Sequence, residues 1–326
     1  MATSLRQTIF AGLALPLLLA SALAQVASTD VINSIKNPEQ IAILRWYNIN
    51  QTTLFTVGTS PTGVAFDGAS IWVANSGDNN VTKLRASDGG VLGTFGVGTS
   101  PRGVAFDGAN IWVANAGSNN VTKLRASDGA VLGTFSVGSS PVCLAFDGAN
   151  LWVTNSFSNN VTKLRASDGA VLGTFSVTTS PGGVAFDGTN IWVSSYAVSN
   201  NVTKLRASDG KVLAILNLSG FQNGLAFDGE NMWVADGQND TVTKLRASNG
   251  EVLGTFGVGQ ALDPGGLVFD GANIWVANGD GFESKLRASD GKLLGLFYVG
   301  NCPGYEAFDG ANVWVSSSCS NTVTKL

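Results

Sequence analysis

The tetrapeptide Ala65-Phe66-Asp67-Gly68 recurs at 105–108, 145–148, 185–188, 226–229 and 307–310, and a Val-Phe-Asp-Gly variant sits at 268–271. Each copy is followed by a tryptophan: Trp72, Trp112, Trp152, Trp192, Trp233, Trp275 and Trp314. The intervals between these tryptophans are 40, 40, 40, 41, 42 and 39 residues. A period near forty with several strands per unit is the mark of a ring of blades, because leucine-rich and β-helix repeats are much shorter. Such architectures add units to one structure, so a chain of 326 residues need not divide into several repeat domains.

One repeat parses into four strands. Gly63 to Phe66 is the first, closed by Asp67-Gly68, a pair favoured in tight turns. Ile71 to Ala74 is the second, rich in β-branched and aromatic types. A loop over 75–80 leads to Val81-Thr82-Lys83-Leu84-Arg85, the third. Ser87-Asp88-Gly89 turns the chain into a fourth strand over 91–97, and Gly98-Thr99-Ser100-Pro101 crosses to the next unit. Turn signals every eight to twelve residues leave no room for helices inside the repeat.

The ends supply the count. The seventh repeat stops at Val323-Thr324-Lys325-Leu326, after its third strand. Upstream of the first repeat, Phe55-Thr56-Val57-Gly58-Thr59-Ser60-Pro61 matches Phe95 to Pro101, the end of a fourth strand. The N-terminal segment therefore supplies what the C-terminus lacks, and ring closure covers the apolar faces of the first and last units. The expected fold is all-β: a seven-bladed β-propeller of four-stranded antiparallel blades over 52–326, closed by an N-terminal strand.

Val104 to Thr122 (Val-Ala-Phe-Asp-Gly-Ala-Asn-Ile-Trp-Val-Ala-Asn-Ala-Gly-Ser-Asn-Asn-Val-Thr), followed by Val131 to Pro141, resembles the YVTN-type propeller repeat. It is also similar to the repeats of NHL and streptogramin-lyase propellers, and the resemblance covers about 52–326. It implies the fold and leaves function open, since those families include bacterial surface proteins, periplasmic proteins and a few enzymes. Many such repeats carry an apolar or small residue in the third strand where this chain keeps Lys83 and Arg85. Streptogramin-lyase propellers use a histidine in catalysis, and this chain has none.

The absence of histidine also removes the commonest metal ligand, the usual acid–base catalyst, and any Ser-His-Asp or Cys-His arrangement. With no P-loop or dinucleotide fingerprint either, a binding role is favoured over an enzyme. A net charge of −4 without a concentrated basic face argues against nucleic acid. At the N-terminus, Arg6, an apolar run from Ile9 to Leu19 and the small residues of Ser21-Ala22-Leu23-Ala24 read as a signal peptide over 1–24. The run is shorter than the ~20 residues a membrane span needs. Export to the periplasm or beyond is expected, with no membrane span after cleavage and a monomeric state. Residues 25–51 hold one further element, a short helix over 37–47, with Asn37 as N-cap, Pro38 at the first helical position and Gln40 in the capping box.

Repeated residues read first as scaffold: tryptophans between blades, Asp-Gly pairs as turns, and the third-strand Lys and Arg as a solvated basic belt. Function is sought where the copies differ. The crossing loops and the loops between second and third strands open on one face, and departures gather there. They are Arg102, Phe157, Tyr196, Gln222, Asp236, Asp263, Asp280, Phe282, Glu283, Tyr305 and Glu306. This mixture suits a small polar ligand, a glycan or a peptide or protein segment. An alternative is a carboxylate-dependent hydrolase or lyase using Asp236, Asp280, Glu283 or Glu306, whose oxygens would suit Ca²⁺ or Mg²⁺, although no loop shows a Ca²⁺-binding spacing and no cofactor is required. A third reading is a purely structural surface module. A contiguous pocket at the channel mouth favours the first two, and scatter favours the third. Cys302 and Cys319 fall on neighbouring strands of blade seven and are expected to form a disulfide. Cys143 replaces the Gly63-type residue of blade three as a free, buried thiol, and the Asn-x-Thr triplets at Asn80, Asn120, Asn160 and Asn201 read as products of repetition.

Overall fold

A computed structural model describes residues 53–196, 200–259 and 263–326. The expected signal peptide, the helix over 37–47 and the loop residues 261–262 lie outside the described residues. Within them, strands assemble into seven four-stranded antiparallel sheets. Blade one runs Pro61–Phe66, Ser70–Asn75, Asn80–Arg85 and Val91–Gly96 in spatial order, and blades two to six repeat it. Blade seven takes Pro303–Phe308, Val313–Ser317 and Thr322–Lys325 from the C-terminal end, and Thr53–Thr56 from the N-terminal side completes it. Thr53 pairs with Lys325 and Thr56 with Thr322, so the last blade is closed in register by the first of the described strands. No helix among the described residues is long and apolar enough to cross a membrane.

The core lies between blades rather than within them. A single sheet of this size has two apolar faces and can cover them only against neighbours. One cluster accordingly joins Trp72, Ala74 and Val81 of blade one to Val104, Ile111, Val113 and Leu124 of blade two, and each of the other six seams has a cluster of its own. In blade one the fourth-strand Phe95 packs on Trp72 at 5.4 Å between ring centroids. In blade seven Phe55 from the N-terminal strand takes that role on Trp314, also at 5.4 Å. Gly129 shows how tight the seam is: its φ is +76°, and a Cβ there would lie 2.1 Å from the ring of Phe95.

The Asp of each Asp-Gly turn does more than turn the chain. Asp67 Oδ1 accepts the backbone N–H groups of Ala69 and Ser70, while Oδ2 accepts the indole N–H of Trp72 at 2.8 Å. The same carboxylate-to-tryptophan bond recurs in all seven blades. Burial works against the charged form of Asp107, Asp147, Asp228, Asp270 and Asp309, but these hydrogen bonds outweigh it and hold each carboxyl below its ordinary value.

The expected solvated belt of lysines is corrected. Lys83, Lys123, Lys163 and Lys204 are buried. Lys83 Nζ stands 5.0 Å over the Trp72 ring and donates to the carbonyl of Ala126 in the next blade at 2.6 Å. Lys123 and Lys163 repeat this towards Ala166 and Ala207, and Lys325 reaches Ala86 across the closing seam. A desolvated cation over an indole contributes about 2 kcal/mol, and the carbonyl gives the charge its hydrogen bond. The arginines of the same strands are exposed, Arg206 only in part, and pair with Asp or Glu of the following turn, as Arg85 does with Asp88 at 2.8 Å.

Two substitutions separate these contributions. Phe55→Ala should cost about 3 kcal/mol by emptying the closing blade, with a lower melting temperature, whereas Phe157→Ala, at a side chain 81% exposed, should leave melting unchanged. Lys123→Met should cost about 1–3 kcal/mol in denaturant titration by leaving the Ala166 carbonyl without its donor; an unchanged midpoint would mean that the cross-blade bond contributes nothing.

Candidate functional site at the channel mouth

The face carrying the crossing loops and the second-to-third-strand loops is one hydrogen-bonded surface. Ser76 and Gly77 donate backbone N–H groups to Ser60 and Thr59, so the two kinds of loop support each other. From the neighbouring blade, Asn79 Oδ1 accepts the N–H of Ser100 at 2.8 Å. Each crossing then enters its first strand through a register shift: Pro61 pairs with Asn75 and Val64 with Val73, which leaves residues 62 and 63 out of the ladder. The same bulge recurs in every blade. A bulge re-aims side chains without disturbing the pairing on either side, and here the bulge residues surround the channel mouth.

The second bulge position is glycine in five blades for a steric reason. A Cβ on Gly63 would lie 2.2 Å from the Arg102 carbonyl oxygen, and one on Gly103 would lie 2.6 Å from that of Val142. Cys143 and Tyr305 are the two exceptions. Their side chains meet across the channel, where the Cys143 thiol donates to the Tyr305 hydroxyl at 3.9 Å. Both residues line two cavities. Above them is a mouth cavity of about 520 Å³, and below is a channel space of about 180 Å³ walled by first strands from all seven blades.

The mouth cavity is lined by bulge residues of blades two to seven and their neighbours, and five of the expected residues line it: Arg102 and Tyr305 at bulge positions, and Tyr196, Gln222 and Asp263 beside them. The Arg102 side chain is exposed there and makes no ion pair among the described residues. Asn223 donates to the Pro264 carbonyl at 2.7 Å and lies beside Asp263 at 3.4 Å. Cys302 and Cys319 are joined as a disulfide, with Cα atoms 5.4 Å apart, and Cys302 contributes to the cavity wall.

The remaining expected residues are elsewhere. Asp236 is buried and accepts N–H groups from Phe221, Gln238 and Asn239, so it caps its own loop. Phe157 is exposed outside the cavity wall. Phe282 stacks edge-on against Tyr298 of the outer strand, 5.6 Å between centroids, and Asp280 is exposed in the turn before it. Glu306 lines the lower channel and accepts the Ala277 N–H at 2.7 Å. Glu283 is fully buried in the seam between blades six and seven. Asp236, Asp280, Glu283 and Glu306 therefore do not form one carboxylate site. Among the described residues no group of three or more His, Cys, Asp or Glu could hold a metal ion.

Asn223 and Cys143 add functional side chains to the cavity, and Cys143 is half-buried at its floor rather than enclosed. Both replace the consensus at bulge positions, a departure visible in the repeat alignment. Desolvation pushes the Cys143 thiol up to about 11, with the Tyr305 hydroxyl and Arg102 pulling it back. The Tyr305 hydroxyl is itself pushed well above the usual phenol range by Cys143 and by burial.

The class the geometry defines is the seven-bladed β-propeller with its variable residues around one channel mouth. No family model matches the sequence, and no curated protein matches it. Solved structures do. The hydrazine synthase of Kuenenia stuttgartiensis is similar over 83% of this chain and 97% of that one, at 18% identity and a TM-score of 0.72. A streptogramin B lyase is similar over 84% of this chain and 96% of its own, at 17% identity and a TM-score of 0.72. At such identities the likeness shows the fold alone.

Because only the thiolate is nucleophilic, alkylation of Cys143 by iodoacetamide should be slow at pH 7.5 and still accelerating near pH 10. Mass spectrometry should find one modified cysteine per non-reduced chain; a rate that levels off near pH 8.5 would contradict the buried environment described.

Proposed function

We propose that the chain is an exported, non-catalytic binding propeller that takes a small polar ligand bearing an anionic group at the channel mouth. The observation that carries this reading is the gathering of variable bulge residues into one cavity, with Arg102 at its wall free of any ion pair among the described residues. A guanidinium in that position offers paired donors to a carboxylate or phosphate. Tyr196, Asn223 and Asp263 add an aromatic face, donors and acceptors around it, the mixture that orients a sugar acid or a peptide C-terminus. A cavity of about 520 Å³ falls within the range that holds small molecules. Export is supported by the N-terminal signal pattern and by the Cys302–Cys319 bridge, since such bonds persist in oxidising compartments. The contiguous cavity favours a binding protein over a purely structural module.

The test is a thermal-shift screen of the purified protein against uronic acids, cell-wall fragments, peptides with free C-termini, neutral glycans and metal salts. A ligand at a hundred times its Kd stabilises the folded form by about 2.7 kcal/mol. Anionic compounds should raise the melting temperature by about 5–10 °C, and Arg102→Ala should abolish the shift. A ligand whose shift survives both Arg102→Ala and Tyr305→Phe, or a preference for neutral glycans, would refute the proposal.

A further inference from the structure

The seam between blades six and seven is the exception among seven. At the other six, a third-strand valine packs against a first-strand valine or leucine of the next blade: Val81 with Val104, Val121 with Leu144, and so on around to Val323 with Val64. At this seam the two positions are Glu283 and Glu306. Lys285, which faces this seam, lies 4.4 Å over the Trp275 ring and 3.9 Å from Asp270, much as Lys83 lies over Trp72 and 3.9 Å from Asp67. One seam has thus exchanged its apolar contact for two carboxyl groups.

We propose that this seam is a proton-operated latch, shut while Glu283 and Glu306 carry their protons and loosened when these are lost. Glu283 is fully buried and neither of its carboxyl oxygens has a hydrogen-bond partner. Glu306 is fixed by the Ala277 N–H on one oxygen and borders the channel, which gives water and protons a route to the pair. No cation stands within ion-pair distance of either group among the described residues. Lys285, on the same strand as Glu283, is held by Asp270. Blade seven turns Val313 and Val315 towards the seam. Tyr305 adjoins Glu306 on its own strand, and Cys143 and Arg102 influence that tyrosine from the far side of the channel. Two unshielded carboxylates in a space of low polarity repel strongly, so at least one stays protonated. Burial pushes Glu306 up to about 8, and burial together with Glu306 pushes Glu283 well above the usual carboxyl range.

The direction of the pH effect follows. A carboxyl group whose value is raised by folding adds stability that is full below its unfolded value, near 4.5, and is lost as pH rises through the folded value, about 8 for Glu306. The turn aspartates act in the opposite sense and only under acid, below their model-peptide range near 3.8. Between pH 5 and 8 the latch therefore dominates, and above that range Cys143 and Tyr305, whose values are also raised by folding, weaken the fold in the same sense. The mouth cavity straddles the seam, with Gly265 and Gly266 on one side and Pro303, Gly304 and Tyr305 on the other, so loosening also reshapes that cavity.

Thermal unfolding of the full chain between pH 5 and 9.5 tests this, in wild type, in the Glu283→Val, Glu306→Val double variant that restores the contact of the other seams, and in Glu283→Gln. The wild-type melting temperature should fall by about 5–10 °C relative to the double variant from pH 6 to 9, and Glu283→Gln should lose much of that slope. Parallel profiles in wild type and Glu283→Gln would overturn the latch, even if the double variant failed to fold. So would recovery of the wild-type melting temperature at pH 9 on adding Na⁺, Mg²⁺ or Ca²⁺ with no such recovery in Glu283→Gln, which would make the pair a cation site.

Discussion

Everything in this molecule depends on how one blade covers the next. The contact is built around a tryptophan clamped on three sides: a turn carboxylate holds its indole N–H, a phenylalanine of the outer strand packs on its ring in most blades, and a lysine crosses over it to a carbonyl of the neighbour. Each part needs the others. The buried ammonium is tolerable because ring and carbonyl replace its water, and the ring is fixed because the carboxylate orients it. Large apolar area, one charge and one directional bond are combined in a unit that can be copied around a circle without change.

That copying explains what was legible in the sequence. Blade count, strand order and closure are properties of the repeat, and Phe55 standing where Phe95 stands in the next copy is enough to assign the closing strand. The burial of the lysines follows from register rather than from charge. Val81, Lys83 and Arg85 alternate along one strand, so Lys83 shares a face with a valine that is wholly buried, and only Arg85 at the strand end escapes to solvent. Glu283 and Glu306 show the same effect of register. They occupy valine positions inside strands, and aligning the seven copies residue by residue places them in a seam.

The site was legible in part. Arg102, Gln222, Asp263 and Tyr305 reach the mouth because they sit at or beside the entry to a first strand, and Tyr196 because its N–H is bonded to the crossing residue Ser180, whereas Asp236 and Phe282 lie within a second and a third strand and are turned elsewhere by them. The deciding feature is the bulge after each crossing. A repeat alignment shows that its two residues vary, but not that they leave the ladder, which is a consequence of how closely seven inner strands converge. Where that convergence demands glycine, a residue such as Cys143 or Tyr305 stands out as a side chain directed into the channel.

The clamped tryptophans also have an optical consequence. The chain has eight tryptophans, and seven stand in almost the same surroundings, each bonded to a carboxylate and overlain by an ammonium group. Their emission is therefore close to a single spectral population that reports whether the ring is shut. Six of the seven are completely covered, and Trp275, at the one irregular seam, keeps 7% of its surface open. Of the seven it is the indole best placed to register a quencher dissolved in the surrounding water, so the protein carries its own lamp at the seam that differs from the rest.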